Sequence, residues 1–171
     1  MNRYVAFLRG VSPMNAKMPE LKRAFEAAGF ADVKTLLSSG NVVFSDLGDT
    51  VDVLERRAEE AMRAELGHHF GTIIRPAGYL REIIAGDPFG AFELPAEAKP
   101  IITFFRRPPE KLIELPIERD GARVLTFTGS EVLACYLPNE KGPLFMAMLE
   151  RNFGKDITTR TLGTVRKCSL A

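Results

Sequence analysis

Two short segments of the sequence contain the residue types that bind small anions. Cationic side chains supply charge, hydroxyl and amide groups donate hydrogen bonds, and glycines let the backbone approach a ligand closely. A helix is also predicted to begin at Met18, which has no side-chain oxygen to cap the free N–H groups. We therefore predict a cradle for a phosphate or carboxylate group. Its residues are Arg9, Gly10, Asn15 and Lys17 in the first segment and Ser38, Ser39, Gly40 and Asn41 in the second.

Each of these residues also has a structural interpretation. Glycines serve tight turns, and small polar side chains bond the backbone of the turn that contains them. A third segment, with Thr158, Thr159, Arg160 and Lys167, allows the same two interpretations. Threonine hydroxyls before a helix commonly cap it, and basic residues suit the C-terminal end of a helix. The functional alternative is that Thr159, Arg160 and Lys167 reach the first two segments and complete an anionic pocket.

No pattern in the sequence is typical of a catalytic centre, a metal site or a cofactor site. The motifs G-x-S-x-G, G-x-x-x-x-G-K-[ST] and H-E-x-x-H are absent. Asp46 and Asp49 precede a predicted helix, where capping explains them. The pair His68-His69 lacks a third ligand, and the two cysteines do not form a C-x-x-C motif. We therefore expect no metal and no cofactor, and the sequence leaves open whether the protein is an enzyme.

The predicted elements of the first 76 residues place the first two segments at one edge of a β-sheet. Apolar and β-branched runs predict strands at residues 3–9, 33–37, 41–45 and 70–75, and helical periodicity predicts helices at 18–28 and 51–66. This βαββαβ order is the ferredoxin-like split βαβ pattern. In that arrangement the end of the first strand, the start of the first helix and the turn between strands two and three share one edge. The loop with His68-His69 belongs to the same edge.

The same order of elements is predicted to recur in the second half. Strands are predicted at 101–106, 123–128, 131–137 and near Ile157, and helices at 110–115, from Pro143 and at 162–168. No residue-level repeat accompanies this pattern. We expect an α+β protein of two ferredoxin-like halves with antiparallel sheets, residues 1–76 and 100–171, joined by a helical linker at 77–99. Arg106, Arg107, Lys155 and the turn at 128–130 share the equivalent edge, where ordinary solvated roles are expected.

Charge and hydropathy restrict the classes of partner. The chain has 171 residues and a net charge of +1, divided into +2 for residues 1–47, −5 for 48–140 and +4 for 141–171. The small total argues against coating of a nucleic acid, whereas the positive ends suit local anion binding. No apolar run reaches the roughly 20 residues of a membrane helix, so we expect a cytoplasmic protein without a membrane partner. The ending Cys168-Ser169-Leu170-Ala171 matches the C-a-a-X prenylation pattern, which often arises by chance.

RNA-recognition modules share the βαββαβ order and therefore provide a specific test. They display aromatic residues on strands one and three for base stacking. Here the third strand has one aromatic residue, Phe44, and the first strand has Tyr4 and Phe7 on opposite faces. The stacking platform is missing from the sequence. Nucleic acid is therefore disfavoured as a partner, although contact through the basic tail stays open.

Three stretches of the sequence resemble one known family. They are YVAFLRGVSPMNAKMPEL at the start, VKTLLSSGNVVFS in the hairpin and TTRTLGTVRK in the tail. These stretches are similar to the bacterial domain of unknown function 1697 family, with its LRG start, SGNVVF hairpin and TTR-x-x-x-TV tail. The resemblance implies a duplicated α/β-plait fold and no established activity. The family's glycine-rich loop is shorter here, and Leu162 and Gly163 replace its usual Trp and Asn. The residues that match its motifs are Arg9, Gly10, Ser39, Gly40, Asn41, Thr159, Arg160, Thr164 and Lys167.

The sequence therefore predicts a protein that binds a small anionic or phosphate-bearing ligand at the edge formed by residues 9–17 and 38–41. Two alternatives remain open. One is a protein-interaction module without catalysis, acting through sheet edges or faces and capable of self-association. The other is a weak nucleic-acid binder that uses the basic C-terminal tail.

Overall fold

Two antiparallel β-sheets, one in each of two units, form the framework of the protein. The computed structural model describes residues 1–110, 113–138 and 145–171. The first unit comprises residues 1–82 and 166–171, and the second comprises residues 83–165. The described residues contain one four-stranded sheet, one five-stranded sheet and five helices. The expectation of a mixed α+β protein with antiparallel sheets is confirmed.

In the first unit, strands and helices follow one another in the predicted order. They are β1 (Asn2–Leu8), α1 (Met18–Ala27), β2 (Ala31–Leu36), β3 (Asn41–Asp46), α2 (Val51–Leu66) and β4 (Thr72–Pro76), and α3 (Ala77–Ala85) follows. The sheet has the strand order β2-β3-β1-β4, and all its pairs are antiparallel. β1 is therefore a central strand whose C-terminal end meets the start of β3 and the start of β4.

The core of the first unit lies between one face of this sheet and helices α1 and α2. Apolar residues of α1 and α2 recur with helical spacing, and residues 4, 6 and 8 of β1 point to the same side. Phe44 of β3 lies at the centre, with its ring 4.2 Å from that of Phe30 and 5.7 Å from that of Phe25. Val5, Phe7 and Val43, on the other face of the sheet, are also fully buried. Both faces of the central strands β1 and β3 are therefore withdrawn from solvent.

The second unit is built on a five-stranded sheet with the order β6-β7-β8-β5-β9. Its elements are β5 (Lys99–Phe105), β6 (Ile117–Arg119), β7 (Ala122–Phe127), β8 (Glu131–Tyr136), α4 (Phe145–Phe153) and β9 (Ile157–Thr161). The last helix, α5 (Leu162–Leu170), begins in this unit and ends in the first. Met148 and Leu149 of α4 pack on the sheet residues of the core. None of the helices in the described residues is long and apolar enough to cross a membrane.

Two expectations about the second half need correction or fall outside the described residues. Glu110 and residues 113–115 are not helical, and residues 111 and 112 are not described. Proline biases the preceding residue toward extended backbone, and prolines at 108, 109 and 116 surround this segment. The predicted start of a helix at Pro143 also lies outside the described residues, and α4 is described from Phe145.

Strand β6 was not predicted from the sequence. It pairs with β7 through a two-residue loop, Asp120-Gly121, with Arg119 opposite Ala122. Both loop residues have positive φ, +51° and +80°, as a type I′ hairpin turn requires. Asp-Gly is a strong local signal for such a hairpin. The signal was present in the sequence, but the strand is too short to show alternation.

The central strands of the two sheets have the same pairing pattern. β1 pairs with β3 over six residues that end at Phe7 opposite Asn41, and β5 pairs with β8 over six residues that end at Phe104 opposite Glu131. β1 pairs with β4 up to Leu8 opposite Thr72, and β5 pairs with β9 up to Phe105 opposite Ile157. Each position of β1 therefore corresponds to one position of β5.

Candidate functional site

Gly40 joins the two predicted segments at the end of β1. It is buried, its φ is +81°, and a Cβ atom placed on it would lie 2.9 Å from Cβ of Val11. Its carbonyl oxygen accepts the Leu8 N–H at 2.8 Å, and the Arg9 N–H donates to the Gly71 carbonyl at 2.8 Å. The structure therefore brings together residues 9–17, 38–41 and 68–71, which we call the first edge.

The loop between β1 and α1 is held in shape by Asn15. The side-chain amide of Asn15 donates to the Gly10 carbonyl at 2.8 Å, and its side-chain oxygen accepts the Ser12 N–H at 2.9 Å. Gly10 itself is exposed, with φ of +79° and no heavy atom within 4 Å of a Cβ position. Asn15 thus positions the loop, and Gly10 leaves open space at the first edge.

The N-terminus of α1 begins as predicted but offers fewer free N–H groups. Lys17 is the N-cap residue, and its side chain makes no capping hydrogen bond. Pro19 has no N–H, and the N–H groups of Glu20 and Leu21 both donate to the Lys17 carbonyl. Glu20 also places a negative charge in the first turn. The helix end is therefore a weaker anion attractor than the sequence indicated, and the exposed Lys17 side chain supplies the charge there.

In the turn between β2 and β3, Ser38 and Ser39 are exposed, whereas Asn41 is 1% exposed. The Asn41 amide donates to the Leu36 carbonyl and to Oγ of Ser39, each at 3.0 Å. These two hydrogen bonds connect the buried first residue of β3 to the end of β2 and to the turn between them. Asn41 is consequently a positioning residue, and the serine hydroxyls are the groups that face solvent.

The loop with His68-His69 lies at the first edge, and His69 is engaged by α2. Its Nε2 atom is 3.2 Å from Oε2 of Glu59, and its Nδ1 atom is 2.9 Å from Nη2 of Arg63. Because arginine can only donate, Nδ1 is the acceptor in the contact with Arg63, and Nε2 faces the Glu59 carboxylate. Within the described residues, no group of three or more His, Cys, Asp or Glu side chains has a metal-binding arrangement.

The tail residues lie in different units. Thr159 and Arg160 belong to β9 in the second unit, and Lys167 belongs to the part of α5 in the first. Arg160 Nη1 donates to Oγ1 of Thr158 at 2.8 Å and to the Thr159 carbonyl at 2.9 Å. The expectation that Thr158 or Thr159 caps the last helix is wrong, because both belong to β9.

Thr161 supplies the hydroxyl at the start of α5. Its Oγ1 accepts the Thr164 N–H at 3.2 Å and donates to Oγ1 of Thr164 at 3.0 Å. This is the position that an N-cap residue requires, one residue after the segment chosen from the sequence. Cys168 of the C-a-a-X pattern is fully buried in the same helix. Its thiol is therefore inaccessible to a modifying enzyme in this conformation.

A polar cluster at the other end of β1 was not predicted from the sequence. Arg57 Nη1 lies 3.0 Å from Oδ1 of Asp46 and 2.8 Å from Oδ2 of Asp49, and its Nη2 donates to the Ala28 carbonyl at 3.0 Å. The guanidinium also stacks over the Phe30 ring at 4.5 Å. A cavity of about 480 Å³ borders this cluster. Asp46 and Asp49 thus hold Arg57, and the expectation that they cap α2 is wrong.

Burial raises the pKa of Asp46, but hydrogen bonds outweigh this effect. The N–H groups of Gly48 and Asp49 donate to Asp46 Oδ2 at 3.1 and 3.3 Å, and Arg57 adds a bond and a positive charge. The pKa of Asp46 is therefore lowered below its usual value. Sequence spacing gives little indication of this cluster, because residues 46, 49 and 57 come from a strand end, a turn and a helix.

The fold is shared with a solved bacterial protein. The chain is similar to "conserved bacterial protein SP0830 from Streptococcus pneumoniae", with a TM-score of 0.67 and 17% sequence identity. The similarity covers 99% of this chain and 97% of that chain. At this level of identity the match describes the fold alone. No curated protein matches the chain at a significant level.

A family model supports the resemblance seen in the sequence. It matches residues 1–132, which include the first edge and the Arg57 cluster. The family resemblance stated from the LRG start and the SGNVVF hairpin is confirmed. The chain belongs to the family described as "Protein of unknown function (DUF1697)".

Proposed function

We propose that the protein binds a small anionic or phosphate-bearing ligand at the first edge. The observation that carries this proposal is the close packing of Gly40 on Val11, which fixes the exposed Ser38 and Ser39 hydroxyls beside the loop that contains Gly10 and Lys17. Hydroxyl and backbone donors next to a cationic side chain are the groups that recognise phosphate and carboxylate oxygens.

The charge of the first edge supports the proposal. Residues 9–17 and 38–41 contain Arg9 and Lys17 and no acidic residue. Arg9 is half-buried, and Lys17 is exposed. These two segments therefore carry a net charge of +2, and Glu20 in the first turn of α1 is the nearest acidic residue in the sequence. Asn15 and Asn41 contribute by holding the loop and the turn, since their amides bond backbone atoms.

The test uses inorganic pyrophosphate as the probe and amide chemical shifts as the readout. At low ionic strength, titration should move the Gly10 and Ser39 amide resonances in a saturable way. Lys17→Ala should weaken the affinity about tenfold, because a charge-assisted hydrogen bond contributes about 1.5 kcal/mol or more. Lys22→Ala is the matched control, since Lys22 lies on the same helix and pairs at 4.0 Å with Glu26. Equal weakening by both variants, or no shift at Gly10 and Ser39, would refute the proposal.

We also propose that each unit is a ferredoxin-like half and that the halves, 1–76 and 100–171 with the linker 77–99, arose by duplication. The strand order β2-β3-β1-β4 and the matching register of β1 and β5 support this interpretation. The proposed location is the cytoplasm. The two cysteines are buried free thiols, which suits a reducing compartment.

A protein-interaction role at the same edge is the second candidate function. Met14 is 94% exposed and Leu37 is 43% exposed, and Leu37 has a φ of +59°, which is unusual for a bulky side chain. Exposed apolar groups beside a polar edge favour contact with another protein surface. Leu37→Asn keeps a residue that tolerates positive φ and removes the apolar side chain. Sedimentation velocity should then show less self-association, and an unchanged, purely monomeric profile for both proteins would remove this candidate.

Nucleic-acid binding gains less support than the other two functions. Tyr4, Phe7 and Phe44 are all buried at 6% exposure or less, so these rings are not available for base stacking. The basic tail alone would give weak and strongly salt-dependent binding.

A further inference from the structure

The backbone hydrogen-bond pattern of the first edge occurs a second time in the protein. In the first unit Leu8 N–H donates to the Gly40 carbonyl and Arg9 N–H donates to the Gly71 carbonyl. In the second unit Phe105 N–H donates to the Ser130 carbonyl at 3.2 Å and Arg106 N–H donates to the Asp156 carbonyl at 3.3 Å. We call residues 105–107, 128–131 and 155–157 the second edge. Each of its bonds has a counterpart in the first edge.

This correspondence identifies equivalent residues. An arginine follows the central strand in both units, Arg9 in one and Arg106 in the other. The residue that opens the hairpin strand beside it is Asn41 in the first unit and Glu131 in the second. Both side chains are 1% exposed. Each edge therefore has an arginine directly after its central strand, and the two edges differ in the buried polar residue that begins the hairpin strand.

The two buried groups interact with their turns in opposite ways. The Asn41 amide donates to the Leu36 carbonyl and to the Ser39 hydroxyl. Glu131 instead accepts: the Thr128 hydroxyl lies 3.2 Å from Oε2 of Glu131 and 3.1 Å from its carbonyl oxygen, and the Thr128 N–H donates to the same carbonyl at 2.9 Å. Under the second turn lies an acceptor that carries negative charge, whereas under the first turn lies a neutral donor.

We infer that this buried position determines which edge accepts an anion, with Asn41 permitting binding at the first edge and Glu131 preventing it at the second. The inference rests on the proposed function. A carboxylate within the turn repels an incoming anion and competes with it for the adjacent cation. A neutral amide does neither. Arg106, Arg107 and Lys155 make the second edge basic by composition. The negative charge of Glu131 offsets their attraction for an anion bound at the turn.

Amide chemical shifts of the unaltered protein give the first test. Pyrophosphate should shift Gly10 and Ser39 and leave Gly129 and Ser130 unchanged. Saturable shifts of similar size at Gly129 and Ser130 would overturn the inference while leaving the proposed function intact. No shift at either edge would instead refute the proposed function. The two failures are therefore distinguishable without any variant.

A substitution then tests the role of Glu131 directly. Glu131→Gln keeps the side-chain length and an acceptor for the Thr128 hydroxyl but removes the charge. Calorimetric titration should show the stoichiometry rising from about one to about two pyrophosphate ions per chain, with new shifts at Gly129 and Ser130. Adding Arg106→Ala to this variant should abolish the new site and leave the first. A folded Glu131→Gln protein that still binds a single ion would overturn the inference.

Discussion

Arg57 and Asp46 form an ion pair at 3.0 Å in which the carboxylate is 8% exposed and the guanidinium is 29% exposed. The same arginine reaches Asp49, the Ala28 carbonyl and the Phe30 ring. It therefore connects the turn after β3 with the end of α1 and with the aromatic core. The two carboxylate oxygens of Asp46 accept hydrogen bonds from the Gly48 N–H, the Asp49 N–H and the Arg57 guanidinium. Because the buried carboxylate is satisfied in this way, the ion pair is a structural clamp in the first unit.

The clamp predicts that stability depends on pH through Asp46. Its folded pKa lies below its ordinary value of 3.8, so the ionised carboxylate stabilises the native state fully above that value. This contribution is lost as the pH falls through the folded pKa. Asp46→Asn should cost about 1–3 kcal/mol at pH 7, and the difference from the unaltered protein should shrink as the pH falls below the ordinary pKa of 3.8 and through the lower folded pKa.

Urea unfolding at several pH values measures this dependence. Asp32→Asn is the control, because Asp32 is an exposed carboxylate whose positive φ of +46° suits asparagine equally well. A constant stability difference for Asp46→Asn from pH 7 to pH 2 would contradict the assignment of the lowered pKa.

Removal of the cation should be at least as damaging as removal of the carboxylate. Arg57→Ala leaves the buried Asp46 carboxylate without its positive partner and removes the bond to Ala28, so we expect a loss of about 2–4 kcal/mol. Arg56→Ala, one position earlier on α2, removes an exposed side chain and should cost about 0.5 kcal/mol or less. Thermal unfolding of both variants compares them, and similar losses would exclude a clamp at Arg57.

The close contact at Gly40 predicts unequal effects of two glycine substitutions. Gly10 and Gly40 have nearly the same φ, +79° and +81°, so alanine costs about 1–2 kcal/mol of backbone strain at each. Only Gly40 also faces a Cβ–Cβ approach of 2.9 Å to Val11. Gly40→Ala should therefore be more destabilising by a further 1–3 kcal/mol or so in urea unfolding. Equal destabilisation would mean that the turn and the loop are not packed as described.

The parts of the fold that depend on local pattern were predictable from the sequence. Apolar periodicity located α1 and α2, and β-branched runs located β2 and β3 around Ser38-Ser39-Gly40. The βαββαβ order then required the end of β1 and this turn to meet, as the Gly40 contact shows. The convergence of residues 9–17 and 38–41 therefore followed from the order of elements alone.

Features that depend on long-range contacts were not predictable. A charged residue next to an apolar stripe is expected in solvent, yet Glu55 is fully buried and Arg57 reaches across to Asp46 and Ala28. Similarly, the roles of Asn15 and Asn41 depend on which backbone atoms the fold places beside their amides. The sequence also contained no signal for the common register of the two sheets, because register depends on pairing between distant segments.

The buried carboxylate of Glu55 gives the final prediction. β4 is an edge strand of its sheet, and the Ile74 N–H of this strand donates to Oε2 of Glu55 at 3.0 Å. An edge N–H that finds a side-chain acceptor is no longer available to another strand. Glu55→Ala removes this acceptor and leaves a cavity, so we expect a loss of about 2–4 kcal/mol and faster hydrogen exchange at the Ile74 amide.

Glu55→Gln separates the hydrogen bond from the charge, because glutamine has the same length and retains an oxygen acceptor. Its Ile74 amide should stay protected relative to the amide of Ala6, the residue opposite on β1. Normalising to Ala6 removes any change in global stability, and Glu60→Ala provides an exposed control on the same helix. If Ile74 exchanges at the same normalised rate in Glu55→Ala as in Glu60→Ala, then β4 is protected by something other than this carboxylate.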